Sequence, residues 1–363
     1  MKILFCLNHP AHFHLCKNLM NNLKCHGHEV FIIARKKDVL LDLLRGYDYY
    51  LMPVKRGANL LQKMRLLSQT KKCFLDYVDK VKPDFVTGTG LFYKITSKKS
   101  IPTFQMAEDD IITNLPIFLI GLLFYNNYSG IFSPESCNNA FWNKKTIKYA
   151  GFQKLAYLHP NYFTASLDVI NKYPFLKDRF FILRFAQLNA YHDIDSKGIN
   201  TVIAQKIIDL LSPQGSVYIS SERELKPQFE KYRLKIDPSD IHHVLAYATL
   251  MIGDSQSMAV EAAMLGTPSI RFNDFAGKIG ILEELEHKYG LTFGVKTSNP
   301  DLLFARICAL LAMPNLKDIF QKRREKMLAD KIDVTAFFTW FIENYPNSAE
   351  IMKKDSNYQY RFR

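Results

Sequence analysis

Three histidines, His9, His12 and His14, follow directly on the apolar run Lys2–Leu7. An imidazole exchanges a proton near neutral pH, so one placed beside an acceptor hydroxyl can act as a general base. His12 is the first choice for that role, with His9 as its neighbour and His14 on the substrate side. The same residues could cap a helix or pack in the interior. As zinc ligands they lack a closing partner, because H-x-x-H plus one further His leaves the tetrahedral set incomplete. No metal is therefore expected.

Glu108-Asp109-Asp110 form a second group. Adjacent carboxylates can divide acid and base roles, which nominates Glu108 and Asp109 as catalytic; exposed acidic clusters without a role are also common. The run Gly253 to Pro268 reads strand, turn, helix, turn, strand, with Asp254, Ser255, Gln256 and Ser257 at the helix start. Small polar residues there leave N–H groups and hydroxyls for a phosphate, aided by the helix dipole. Glu261 lies about one turn further on, within reach of a ribose hydroxyl pair, and a buried carboxylate among Ala and Leu calls for a partner. Arg184, His192 and Lys197 could neutralise a diphosphate. Gly88, Asn273 and Asp274 complete the expected substrate-binding set. Neither G-x-x-x-x-G-K nor a G-x-G-x-x-G after the first strand occurs, which removes the main support for NTPase and nicotinamide chemistry.

These groups sit where short apolar runs end, and the runs alternate with longer amphipathic stretches. Strands are expected at Lys2–Leu7, Val30–Ala34, Phe85–Val86, Pro102–Gln105 and Gly130–Ser133, with helices at Phe13–Cys25, Val39–Leu44 and Leu60–Val78. The alternation restarts after about residue 165, with strands Arg179–Phe185, Ser216–Ser220, Thr249–Gly253 and Ser269–Phe272. Helices are expected at Ile199–Leu211, from the capping run at Asp237 to Ala248, and at Ser257–Leu265; the remainder to Asn344 reads as mostly helical. Two β/α blocks predict an α/β chain of two doubly wound parallel sheets. The expected domains are residues 1–165, 166–345 and a tail, 346–363.

At 363 residues the chain suits two domains rather than one core. Its net charge of +13 is uneven: residues 1–150 hold 21 Lys or Arg against 11 Asp or Glu, and residues 151–363 hold 27 against 24. A basic first half suggests an anionic partner such as a membrane surface or a phosphorylated lipid. Interleaved aromatic and basic motifs for nucleic acid are missing. The six cysteines form no C-x-x-C pair, which fits a reducing, cytoplasmic setting. Leu115–Tyr125 is 11 residues long; as a helix it rises about 1.5 Å per residue, about half of a ~30 Å bilayer core. It reads as core or as a surface-lying segment.

Asp237–Ile270 resembles the nucleotide-sugar segment of GT-B glycosyltransferases, particularly the peptidoglycan GlcNAc transferase, and Glu261 matches that family's ribose-binding Glu. A wider match runs through HPAHFHLCKNL, GHEVFIIARKK, GFQKLAYLHP, EKYRLKIDPSDIHHVLAYA, IGDSQSMAVEAAMLGTPSIRFNDF and LEELEHKYGLTFG. Together these look like the domain-of-unknown-function 354 family, regarded as GT-B-like and often found with surface-polysaccharide genes. The resemblance implies two Rossmann-like domains facing a central cleft. It also implies sugar transfer from a UDP-type donor to a lipid-linked or saccharide acceptor, with no cofactor beyond the nucleotide-sugar and with peripheral contact at the inner membrane. Two alternatives follow from the same superfamily: a non-hydrolysing UDP-GlcNAc 2-epimerase, using the Glu108–Asp110 carboxylates, and a non-catalytic sugar-nucleotide-binding component. Asp254-Ser255-Gln256-Ser257 departs from the transferases' Ser-Gly-Gly-like loop, and the first loop lacks their glycines.

Overall fold

A computed structural model describes residues 1–37, 39–52, 60–89, 101–108, 110, 125–176, 178–186 and 198–363. Contacts divide the chain into two compact units, Met1–Tyr157 together with Ile332–Arg363, and Leu158–Lys331.

The first unit carries β1 (Lys2–Leu7), α1 (Pro10–Cys25), β2 (Glu29–Arg35), β3 (Tyr50–Met52), α2 (Leu60–Val81), β4 (Phe85–Gly88), β5 (Thr103–Met106), β6 (Gly130–Pro134) and β7 (Thr146–Tyr149). Its seven strands are ordered β3-β2-β1-β4-β5-β6-β7 and all pair in parallel. A parallel sheet is covered on both faces, so its strands read as continuous apolar runs; Ile3 to Leu7 are all buried. One face holds Leu4, Ile33, Val86, Ile131 and Trp142 against Phe74 and Val78 of α2.

Aromatic rings line part of the sheet and fix the fate of the chain's end. Phe85 stacks on Phe104 at 5.3 Å and Phe104 on Phe132 at 5.1 Å, and Phe341 and Phe338 each approach Phe132 to 4.8 Å. The helix Val334–Glu343 thus buries its phenylalanines on β5, β6 and β7, each worth about 1.5–3 kcal/mol. Asp333 caps it by accepting the Ala336 N–H at 2.9 Å. Gln359 Oε1 accepts the Ala150 N–H at 2.6 Å. Residues 332–363 therefore belong to the first unit, whereas the sequence reading divided the chain once and left a tail at 346. An unbroken pattern of helices carries no mark of which sheet each one covers.

The second unit contains β8 (Phe180–Phe185), α3 (Thr201–Leu211), β9 (Ser216–Ser221), α4 (Ile241–Tyr247), β10 (Leu250–Gly253), α5 (Gln256–Leu265), β11 (Ser269–Phe272), β12 (Thr292–Val295), α6 (Pro300–Leu311) and α7 (Leu316–Asp330). Helices shorter than seven residues are left unnumbered. The five strands run β12-β11-β10-β8-β9, again all parallel. Gly266 ends α5 in the left-handed conformation, φ 72°, which glycine adopts without steric cost.

Each sheet reverses its strand order once: between β1 and β4 in the first unit, and between β8 and β10 in the second. Ligands of doubly wound sheets bind beyond the carboxyl ends of the strands at such points.

Candidate functional site

In the first unit the reversal point lies where Leu7 gives way to Asn8 and Gly88 to Thr89. Asn8 Nδ2 donates to the Thr89 carbonyl at 3.2 Å and so bridges it. Asn8 Oδ1 and Thr89 Oγ1 are buried there with no protein partner among the described residues, which suits a ligand hydroxyl or a water. Gly88 has φ 126°, and a Cβ on it would meet the Cys6 carbonyl oxygen at 2.4 Å. Its lack of a side chain is what lets β4 lie against β1.

The helix α1 starts earlier than periodicity suggested, at Pro10, because proline suits the first helical turn. His9 is its N-cap, with Nδ1 accepting the Ala11 N–H at 3.2 Å. His12 Nδ1 accepts the Asn8 N–H at 3.1 Å. A backbone N–H only donates, so the neutral His12 ring carries its proton on Nε2. Burial, with the charges of His9, Lys154 and Lys37 added, lowers the His12 pKa to about 3. His12 thus presents a hydrogen-bond donor and not a lone pair at Nε2. A general base at Nε2 would need that lone pair. His14 packs with its ring 5.4 Å from that of Tyr157.

The acidic group is likewise engaged. Glu108 accepts the Gln153 N–H at 2.7 Å and pairs with Lys154 Nζ at 2.9 Å, both side chains being almost wholly buried. Asp110 accepts the Asn138 N–H at 2.5 Å. Glu108 clamps the Gln153-Lys154 turn. Asp109 lies outside the described residues, as do His192, Lys197 and residues 115–124 of the apolar segment.

In the second unit the reversal point is bridged by Asp254, 2% exposed. Its Oδ1 accepts the Ala186 N–H at 2.6 Å, and its Oδ2 accepts from Ile199 N at 3.2 Å and Arg223 Nη2 at 3.3 Å. Burial raises its pKa above the ordinary carboxylate value, with these donors opposing. Asn273 Nδ2 donates to the Asp254 carbonyl at 3.1 Å, and Asp274 accepts from Thr297. Arg184 donates to Ser220 Oγ at 2.7 Å and pairs with Glu222. Asp254, Asn273, Asp274 and Arg184, all expected to face substrate, are thus committed to the protein's own loops.

The helix α5 remains. Its buried residues are Met258, Ala259, Val260 and Ala262 to Leu265. Only Gln256, Ser257 and Glu261 reach its surface, Ser257 being exposed and the other two half-buried. Ser257 and Glu261 are four apart and share one face, running back from the N-terminus, where the first N–H groups have no intrahelical acceptor. Ser255 caps that end by accepting the Met258 N–H at 3.4 Å. Glu261 Oε1 lies 3.4 Å from His242 Nε2 of α4, and the Glu261 side chain is 15% exposed. A cavity of about 300 Å³, lined by Phe163, Tyr247, Lys317 and Arg324, touches only the far end of α5, at Leu265.

The sequence reading missed Asn8, Thr89, Arg223 and His242. The adjacent histidines of DIHHV were a usable signal for His242; the other three carried none. Among the described residues no group of three or more His, Cys, Asp or Glu could hold a metal ion, and no helix is long and apolar enough to cross a membrane.

No protein-family model matches the chain, and no curated protein matches it in sequence. Solved structures do match along its length. The UDP-GlcNAc 2-epimerase from Neisseria meningitidis bound to UDP-GlcNAc gives a TM-score of 0.60 at 16% identity, covering 91% of this chain and 99% of that one. The S. aureus MnaA–UDP co-structure gives 0.65 at 13%, covering 96% and 97%. MurG from Acinetobacter baumannii gives 0.58 at 14%, covering 94% and 99%. At these identities the likeness establishes the fold: both units together have the GT-B fold.

Proposed function

We propose that the protein is a nucleotide-sugar-utilising enzyme that transfers the sugar to an acceptor hydroxyl. One observation carries the reading: on α5, otherwise buried, the accessible residues are Gln256, Ser257 and Glu261, beginning at the helix N-terminus. Phosphate oxygens are suited to the Ser255–Ser257 N–H groups and the helix dipole, and a ribose diol to Glu261. As the bond to the sugar breaks, negative charge grows on the departing diphosphate, and oriented donors already in place stabilise it without reorganising. UDP-GlcNAc and UDP are bound in two of the similar solved structures; they make UDP-sugars the first donors to try here.

The first unit then meets the acceptor. His12 Nε2–H holds an oxygen beside Asn8 and Thr89. Asp109, of the same acidic group, is the carboxylate proposed for proton transfer. The basic half of the chain favours an anionic acceptor, lipid-linked or saccharide, at the inner membrane surface. The resemblance to the domain-of-unknown-function 354 family, and with it a place in surface-polysaccharide synthesis, belongs to this proposal.

Epimerisation at C2 of the sugar is the second reading, supported by the likeness to two 2-epimerase structures and by the carboxylates after β5. Nuclear magnetic resonance of a UDP-sugar incubated with the protein separates the two. Release of nucleotide only when an acceptor is added supports transfer. Accumulation of the C2 epimer without any acceptor replaces transfer with epimerisation. An unchanged sugar with every acceptor overturns both.

A further inference from the structure

We propose that His242 is a positioning residue that aims the Glu261 carboxylate; the inference rests on Glu261 being the ribose contact. His242 lies in α4, and its Nε2 is 3.4 Å from Glu261 Oε1, with side-chain exposures of 8% and 15%. A carboxylate at that depth is costly unless polar groups face it, and the His242 imidazole stands within ion-pair distance of it.

The histidine is itself held. The edge of its ring meets Phe163 at a centroid distance of 6.2 Å, near perpendicular. The next residue, His243, accepts the Ser166 N–H at Nδ1, 3.1 Å away. The other end of α4 is tied to the turn after α5, where Thr267 Oγ1 donates to the Leu245 carbonyl at 2.9 Å. With α4 fixed at both ends, the His242 ring has little freedom, and one Glu261 oxygen is directed towards it. A glutamate side chain has three rotatable bonds, and this contact narrows where its carboxylate can lie.

The test is calorimetric titration of the full chain with UDP, GDP and CDP and with the 2′-deoxy counterpart of each. Four variants accompany the wild type: Glu261→Ala, His242→Phe, His242→Gln and His242→Asn, each checked for folding by circular dichroism. The wild type should prefer the ribose form of one nucleotide by about tenfold, as expected of a hydrogen bond to a charged group. Glu261→Ala should abolish that preference. His242→Phe should abolish it too, weakening the ribose form about tenfold and leaving the deoxy form unchanged.

His242→Gln, whose amide nitrogen reaches about as far as Nε2, should restore the preference. His242→Asn is polar but too short and should behave like His242→Phe, so it serves if the phenylalanine variant fails to fold. Wild-type preference in folded His242→Phe or His242→Asn overturns the inference while Glu261 keeps its role. An equal fall for ribose and deoxy forms overturns it as well, since that is the mark of packing alone. Preference surviving in Glu261→Ala, or no binding of any nucleotide, overturns the reading of Glu261 and the inference with it.

Discussion

Asp254 accepts the Ala186 N–H at 2.6 Å and in doing so joins the ends of β10 and β8, 68 residues apart in the chain. Asn8 makes the matching bridge to Thr89 in the first unit, at 3.2 Å. Both points where strand order reverses are thus closed by one polar side chain from one strand end to the backbone beyond the other. In the second unit the bridging Asp254, 2% exposed, is distinct from the accessible residues of α5.

Asp254→Ala leaves two backbone donors and Arg223 without their acceptor. It should cost about 2–4 kcal/mol of stability in urea unfolding. Asp254→Asn, which keeps one acceptor oxygen, should cost less. A change in nucleotide binding with no change in stability would return Asp254 to the ligand.

His12 has a folded pKa of about 3 against an ordinary 6.5. The unfolded chain therefore binds a proton that the folded chain refuses as pH falls through that window, and stability declines over it. Wild type should lose more stability than His12→Gln between these pH values, measured by denaturant titration. In the rate profile, no acid limb near pH 6.5 should arise from His12. A limb that vanishes in His12→Gln would reinstate this ring as the base.

Glu108 and Lys154 form a buried pair, and removing one partner strands the other charge. Glu108→Ala should cost about 3–5 kcal/mol, and the double variant Glu108→Leu, Lys154→Met should recover most of it. Loss of activity in Glu108→Ala at unchanged melting temperature would make the carboxylate catalytic after all.

Gly88→Ala places a Cβ 2.4 Å from the Cys6 carbonyl oxygen at a φ of 126°. The cost should exceed about 2 kcal/mol, read as a fall in melting temperature. A stable variant with weakened substrate binding would argue for ligand contact instead.

The sheets were legible wherever strands are buried on both faces, since Ile3–Leu7, Phe180–Leu183 and Leu250–Gly253 are continuous apolar stretches. The strands Tyr50–Met52, Thr146–Tyr149 and Thr292–Val295 were not, because each lies at a sheet edge and spans three or four residues. The capped helix carrying Glu261 was read from small residues followed by apolar ones, a local pattern. Asp254, Arg184 and Asn273 were assigned to a ligand because sequence shows that a polar group stands at a strand end. Whether its partner is a substrate or a loop 19 to 68 residues away is settled only by folding.

The central claim is that the Ser257–Glu261 face of α5 receives the donor nucleotide. Calorimetric titration with UDP-, GDP-, CDP- and dTDP-sugars, beside a Glu261→Ala control, tests it directly. The account predicts saturable binding of one nucleotide-sugar, weakened at least tenfold in a folded Glu261→Ala variant, as expected for loss of a charged hydrogen bond. Equal binding in the two proteins would place the donor elsewhere, and a folded wild type that binds none of the panel would contradict the assignment altogether.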